Sequence, residues 1–293
     1  MPNGILLLDK PLGLSSNAAL QRVRKLLGAR KAGHVGSLDP LATGMLPIVL
    51  DEATKVAGEV ISHRKCYRFT LALGERTRTG DTEGEVIERL PVPALTTDAV
   101  LASLGGFLGH STQVPPMFSA LKRGGKPLYA LARASIEVER AARDIEILRL
   151  ELRALESDSL EAEVVCTKGT YVRTLGEDIA RRLGTCGHLS SLRRLYVEPF
   201  DHEPLETLEG VAQAVAEGRP PRLLPPDAPL TGLPAAALDA EATRRLLLGQ
   251  SVPCVGVEPA ASLRLYGPDG RFLGLGLSLE VGVVRPRRLL AGP

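Results

Sequence analysis

Between Gly218 and Pro234 the chain sets Pro220, Pro221, Pro225, Pro226, Pro229 and Pro234 close together. Each proline lacks an N–H donor and holds φ near −65°, so this stretch suits neither a helix interior nor a central strand. It reads as an ordered, non-regular linker. The 293 residues then divide into a long part, expected as one domain over 1–229, and a short part over 230–293. The long part can bury a core of its own.

Within the long part, strand and helix patterns are mixed. Ile5 to Leu8 is a short apolar strand. Ser15-Ser16 offers an N-cap, Leu20, Val23, Leu26 and Leu27 follow at helical spacing, and Gly28 ends the helix. Leu46 to Leu50 reads as a buried strand, and Asp51 as the cap of a helix carrying Val56, Val60 and Ile61. From Lys65 to Leu73 the pattern alternates, with Tyr67, Phe69, Leu71 and Leu73 on one face. Arg76 to Gly84 is a polar loop, and Val100 to Leu108 a helix. Val114 to Pro127 has no periodicity, and a long loop of that kind is usually functional. A helix then starts at Leu128, and Ile145, Ile147 and Leu160 to Cys166 suggest paired strands. Thr170 is placed to cap a helix running to Leu183, with Gly184 at its end. Without strict βαβ alternation, the class is α+β with a mixed sheet. After the linker come a helix over 241–248 and strands around 263–266 and 272–279, joined by the turn Gly267-Pro268-Asp269-Gly270. That is a small β-rich domain.

Composition narrows the function classes. With 44% hydrophobic and 24% charged residues the chain is of globular type. It has no run of eighteen apolar residues, so no membrane helix is expected, and no secretory signal is expected at its start. Cys66, Cys166, Cys186 and Cys254 are scattered, with no Cys-x-x-Cys pair, so reduced, mostly buried thiols in the cytoplasm are expected. No metal-ligand cluster, dinucleotide fingerprint or Walker loop occurs, so no metal and no cofactor is expected. The net charge of +2 is small, but its distribution is uneven. Lys10, Arg22, Arg24, Lys25, Arg30 and Lys31 precede the stretch 36–45, and a second basic group includes Lys168, Arg173, Arg181 and Arg193. The reading is either a basic face for nucleic acid or solvated helix surfaces.

One carboxylate stands out. Asp39 sits in Gly36-Ser37-Leu38-Asp39-Pro40-Leu41-Ala42-Thr43-Gly44-Met45, between glycines and before a proline. The proline pushes Asp39 out of the helical region, and the glycines permit a sharp bend close to a ligand. Such an Asp is a turn former, a cap, or a nucleophile or base held near open space.

The wording around it, His34-Val35-Gly36-Ser37-Leu38-Asp39-Pro40-Leu41-Ala42-Thr43-Gly44, closely resembles the active-site motif of the TruB family. Further blocks follow in the family's order. They are Leu8-Asp9-Lys10-Pro11-Leu12-Gly13, Lys65-Cys66-Tyr67-Arg68, Thr79-Gly80-Asp81, Gln113 to Lys122, Lys168 to Leu175, and Leu192-Arg193-Arg194. The resemblance spans roughly residues 4 to 200, more than any single motif could carry. It implies a pseudouridine synthase that isomerises the T-loop uridine (position 55) of tRNA without a cofactor. The implied architecture is a sheet-based catalytic domain, with an RNA-gripping loop over 114–143, and a PUA-like RNA-binding domain over 230–293. The partner implied is the T-arm stem-loop of tRNA, with no membrane and no protein partner required, and a monomer is expected.

By the same resemblance Asp39 is the catalytic carboxylate, Arg173 its guanidinium partner and Tyr67 the ring that stacks on the target base. Read without the motif, Arg173 is a helix-surface residue and Tyr67 a core tyrosine. Lysine would be a poor substitute for Arg173, because it lacks the planar two-pronged donor. The target uridine must leave its stack before reacting, and His34 matches the histidine that takes the vacated place. Lys10, Tyr171 and Leu192 match pocket-lining positions. Asp81 either binds substrate or holds its loop. Lys122, Arg123 and Lys126 would grip phosphates, giving affinity rather than base choice. Two other readings remain: a synthase guided by a partner complex, and an RNA-folding chaperone.

Overall fold

A computed structural model of the chain describes residues 2–60 and 64–290. Strand β1 (Gly4–Lys10) leads to helix α1 (Ser16–Leu27). The Ser15 hydroxyl accepts from the Ala18 N–H, and Gly28 closes the helix at φ 61°. Two strands follow, β2 (Ala32–His34) and β3 (Ala42–Leu50), the latter reaching further back than its apolar run suggests. Asp51 does not cap a regular helix. It adopts φ 46° as the first residue of a 3-10 turn, Asp51–Val56, and its carboxylate accepts from the Lys31 N–H. A single turn, α2 (Ala57–Val60), continues it, while Ile61 and His63 lie outside the described residues. Strand β4 (Lys65–Leu73) buries Tyr67, Phe69, Leu71 and Leu73, as its alternation requires.

The polar stretch after it is partly ordered as a ribbon of β5 (Glu75–Thr77) and β6 (Val86–Arg89). Helix α3 (Thr97–Gly105) is capped by Thr96 and starts earlier than its apolar residues imply. Edge strand β7 (Gly109–Gln113) is mostly polar and exposed, so it leaves little trace in the pattern. The aperiodic segment then folds into a short ribbon, β8 (Lys122–Arg123) with β9 (Lys126–Pro127), and helix α4 (Leu128–Arg133). Strands β10 (Arg143–Leu155) and β11 (Ser159–Cys166) pair antiparallel. Helix α5 (Val172–Arg182) is not capped by Thr170, whose hydroxyl instead donates to the Thr167 carbonyl; Tyr171 is the cap residue. Strand β12 (Gly187–Val197) and helix α6 (Leu208–Ala216) complete this part.

Its sheet has eight strands in the order β1-β3-β12-β4-β11-β10-β7, with β2 paired to β3. Only the β12–β3 pair is parallel. This is the mixed sheet of an α+β protein. Period-2 alternation feeds two cores. Leu6, Leu8, Ile48, Phe69 and Leu71 meet residues of α1, α3, α5 and α6 on one face. Ile5, Leu7, Met45, Val49 and Phe200 fill the other.

The proline-rich stretch is ordered without being regular. The Ile5 and Leu224 N–H groups each donate to the other residue's carbonyl, at 2.8 and 2.9 Å. Beyond it, β13 (Ala235–Ala237), α7 (Ala240–Leu247), β14 (Val252–Pro253), β15 (Ala260–Tyr266), β16 (Phe272–Glu280) and β17 (Val283–Leu289) form the C-terminal part. Its five-stranded sheet runs β13-β15-β16-β17-β14 over a separate core, consistent with a PUA-like domain. Val56, Leu230 and Leu275 form a small cluster that joins it to the larger part. No helix among the described residues is long and apolar enough to cross a membrane.

Candidate active site

The loop 35–41 leaves β2 and returns as β3. Its backbone is held by side chains buried below it. The Ser16 hydroxyl accepts from the Leu38 N–H (2.7 Å) and lies 2.9 Å from the Leu38 carbonyl, to which it donates. The Lys10 ammonium, wholly buried, donates to the carbonyls of Pro11 (2.9 Å), Leu14 (2.6 Å) and Pro40 (3.4 Å). Arg194 donates to the Gly36 carbonyl (2.8 Å). Glycine is needed at two positions here. Gly36 has φ 71°, and a β-carbon there would lie 3.1 Å from the Arg194 guanidinium. At Gly44 (φ 96°) a β-carbon would collide with the Arg194 carbonyl oxygen, because β3 and β12 pair there.

This framework presents Asp39 at the mouth of a cavity of about 250 Å³, with its side chain 42% exposed. Its Oδ2 lies 2.9 Å from Nη2 of Arg173, a guanidinium only 5% exposed. The same guanidinium donates to the carbonyls of Thr79 (2.6 Å) and Phe118 (2.7 Å). Three anchors leave it little freedom, so the ion pair has a fixed direction. Arg173 lies in the first turn of α5, and the start of that helix is pinned from the side. The Gln113 side chain accepts from the Tyr171 N–H (2.7 Å) and donates to the Tyr171 carbonyl (3.2 Å).

Tyr67, from β4, lies in the cavity wall and is nearly buried. Burial pushes its phenol above the ordinary tyrosine range, and the positive charge of Arg194 opposes that push. Tyr171 and Leu192 also line the cavity. Burial raises the Tyr171 phenol above the ordinary tyrosine range.

Five of the eight residues singled out in the sequence, Asp39, Tyr67, Arg173, Tyr171 and Leu192, thus meet at one cavity. The other three do not reach its wall. Lys10 lies beneath the loop, and burial lowers its ammonium to about 8, offset by the Asp39 carboxylate. Asp81 sits behind Arg173, with Oδ2 3.7 Å from Nε, while Oδ1 accepts from the Thr79 hydroxyl (2.5 Å) and the Glu83 N–H (3.1 Å). Asp81 therefore orders its own loop and backs the guanidinium together. His34 is on β2, with Nδ1 buried and unpaired, and burial lowers its imidazole.

Several residues of the site were not singled out from sequence. Lys65 and Lys168 line the cavity, and burial brings the Lys65 ammonium down to about 8. Glu83 is raised, first by burial and then by the Asp81 and Asp39 carboxylates. The signal available for Lys65 was its period-2 spacing from Tyr67, which puts both on one face of β4. A larger cavity of about 450 Å³ lies in the 114–143 region, walled by Lys122, Arg123, Arg140 and Arg143. It is positive and contains none of the Asp39 cluster.

Residues 24–172 match the TruB family pseudouridylate synthase N-terminal domain. Residues 173–230 match the tRNA pseudouridylate synthase B C-terminal domain, and 234–290 match the C-terminal model of pseudouridine synthase II TruB. The chain is 49% identical to tRNA pseudouridine synthase B of Chromohalobacter salexigens, covering 98% of this chain and 94% of that one. It is 50% identical to the protein of the same name from Aromatoleum aromaticum, over 99% and 93% of the two chains. Among solved structures it resembles a chain of an H/ACA RNP bound to a substrate RNA containing 2'-deoxyuridine. There the TM-score is 0.74 at 20% identity, over 99% of this chain and 85% of that one. An archaeal box H/ACA sRNP Nop10-Cbf5 complex gives 0.73 at 20% identity, over 98% and 85%, a likeness of fold. On sequence over nearly its whole length, and on matches to both of its parts, the chain belongs to the TruB family of pseudouridylate synthases.

Proposed function

We propose that this chain converts the T-loop uridine at position 55 of tRNA to pseudouridine. The single observation that carries the proposal is the Asp39–Arg173 ion pair at 2.9 Å, set at the mouth of a cavity walled by Tyr67. The reaction breaks the C1′–N1 bond, turns the uracil and forms a C1′–C5 bond; C5 loses a proton and N1 gains one. No oxidant and no transferred group is needed. Asp39 is the nucleophile or base, half-open to an incoming nucleotide. Arg173 aims that carboxylate, and Tyr67 offers its ring to the extruded uracil. Leu192 and Tyr171 complete the enclosure. Lys10 and Asp81 serve the site from behind, as supports of the Asp39 loop and of Arg173. His34 fills the stacking position that the extruded base leaves.

Residues 1–229 act as the catalytic domain, with 114–143 gripping the T arm, and 230–293 add RNA contacts. Exposed Lys122, Arg123 and Lys126 give affinity through phosphates. The enzyme works as a monomer in the cytoplasm, with no metal, cofactor or protein partner.

The test is to incubate the purified protein, with EDTA, with an unmodified T-arm hairpin and to map pseudouridine at single-nucleotide resolution. Conversion confined to the T-loop uridine is expected. Tight binding without conversion there or in full-length tRNA would replace the proposal with a chaperone or a partner-dependent synthase.

A further inference from the structure

Part of the wall of the Asp39 cavity comes from the 114–143 segment. Ser119 and Ala120 line it together with Asp39, Tyr67, Tyr171 and Arg173. That strip of the segment is tied in place. The Phe118 carbonyl accepts from the Arg173 guanidinium (2.7 Å), the Ser119 N–H donates to the Met117 carbonyl (3.0 Å), and the Ser119 carbonyl accepts from the Tyr129 N–H (3.0 Å). The backbone at 119 is therefore fixed beside the guanidinium that pairs with Asp39, and only rotation about χ1 is left to the side chain.

The Ser119 hydroxyl is nevertheless unused. The residue is 4% exposed, and its Oγ is buried with no hydrogen-bond partner among the described residues. The Tyr171 phenol belongs to the same wall but does not meet it in a hydrogen bond. A serine hydroxyl carries one donor and two acceptor sites, and burying it unpaired costs free energy that an alanine would avoid. Other described side chains also hold a buried, unpaired polar atom: His34, Asp51, Ser103, Arg140 and Thr243. None of those five lines this cavity, whereas Ser119 does. An unpaired polar atom in the wall of a cavity is a place for a polar atom of the ligand.

Resting on the proposed function above, we propose that Ser119 is a nucleoside-binding residue whose hydroxyl completes its hydrogen bonds with a polar group of the extruded uridine. That group is an edge atom of the uracil or the ribose 2′-hydroxyl. The free protein holds the Ser119 hydroxyl unsatisfied, so the bond forms only when a nucleoside enters. The 114–143 segment then has two tasks: Lys122, Arg123 and Lys126 act on phosphates, and Ser119 reaches the reacting nucleotide itself. The hydroxyl contributes binding and takes no part in making or breaking bonds at C1′.

The experiment compares Ser119→Ala with wild type for the Kd of three T-arm hairpins. One carries uridine at the target, one 2′-deoxyuridine, and one a ribose without a base. With the uridine hairpin the variant is expected to bind about three- to tenfold more weakly, the size of one hydrogen bond. The loss should vanish with the hairpin that lacks the partner: the one without a base if the hydroxyl meets the uracil, the 2′-deoxy one if it meets the ribose. The denaturation midpoint of the free variant should equal or exceed that of wild type, because removing an unpaired buried hydroxyl breaks no bond. A lower midpoint would show that the hydroxyl already has a partner in the free protein, Tyr171 foremost, and would overturn the proposal. Unchanged affinity for the uridine hairpin would overturn it too, as would equal losses with all three hairpins, which put the effect outside the nucleoside. Single-turnover conversion by wild type tests the functional reading separately. If no uridine is converted, that reading fails, while the three Kd ratios still decide whether Ser119 meets the nucleoside.

Discussion

The Asp39 loop and the 114–143 segment are both irregular stretches of a TruB-family chain, yet they are built in opposite ways. Around Asp39, the backbone is tied by buried side chains from three other elements: Ser16 on α1, Lys10 on β1 and Arg194 on β12. Across 114–143 the charged side chains other than Arg140 stand outward, and the local ribbon pairs Lys122–Arg123 with Lys126–Pro127. The contrast follows from the tasks proposed for them. A reacting carboxylate must be held to a fraction of an ångström, which takes more bonds than the loop itself can supply. A phosphate grip needs charge within reach and tolerates movement.

Substitutions can break or sharpen that contrast. The largest effect is expected at the carboxylate itself: Asp39→Asn should lower turnover by roughly 10⁴-fold while T-arm affinity stays within a few-fold. Turnover in that variant clearly above background would remove Asp39 from the chemistry. Arg173→Lys comes next, with a loss of about 10²-fold, since one ammonium cannot serve Asp39 and the carbonyls of Thr79 and Phe118 together. Near wild-type single-turnover kinetics would contradict this.

Ser16→Ala tests the support beneath the loop. It leaves the Leu38 N–H and carbonyl buried and unpaired, at a cost of about 1–3 kcal/mol in chemical denaturation. An unchanged midpoint would mean the clamp contributes nothing. In the gripping segment Lys126→Ala should weaken the T arm modestly and reduce the salt dependence of binding by about one phosphate's worth, leaving the rate at saturation unchanged. A fall in that rate would mean the segment does more than grip.

A further effect concerns pH. The Lys10 ammonium titrates near 8 in the folded protein and near 10.5 in an ordinary lysine. Between those values the unfolded chain binds more protons, so the Lys10 contribution to stability rises with pH across that window. The stability difference between wild type and Lys10→Met should therefore grow in favour of wild type from pH 8 to pH 10. A difference independent of pH would show that the ammonium is not strained by burial.

Much of this is legible in the sequence. The alternation of 65–73 placed Tyr67, Phe69, Leu71 and Leu73 on a buried face, and they lie there. Ser15 and Gly28 bound α1 as their chemistry demands. Local patterns failed where local chemistry was not the deciding force. Asp51 was a plausible cap, but its carboxylate is used by the Lys31 N–H, twenty residues away in the chain. Thr170 could have capped α5, yet the start of that helix is tied down through Gln113 at the edge of the sheet. Polar β7 is a strand only because β10 offers it a ladder.

The candidate site residues divide along the same line. Asp39, Arg173, Tyr67, Tyr171 and Leu192 could be named because they stand within motifs, and the fold gathers all five at one cavity. Sequence alone determined the residue types, the bend at Gly36-Ser37-Leu38-Asp39-Pro40 and the break at the prolines, because φ restriction and side-chain period are properties of neighbouring residues. Only the tertiary structure decided that Arg194 should lie buried between Tyr67 and Gly36, that Asp81 should back Arg173, and that Lys10 should spend its charge on carbonyls. Those contacts join residues far apart in the chain, and no local rule of spacing can encode a partner that only the sheet order brings alongside.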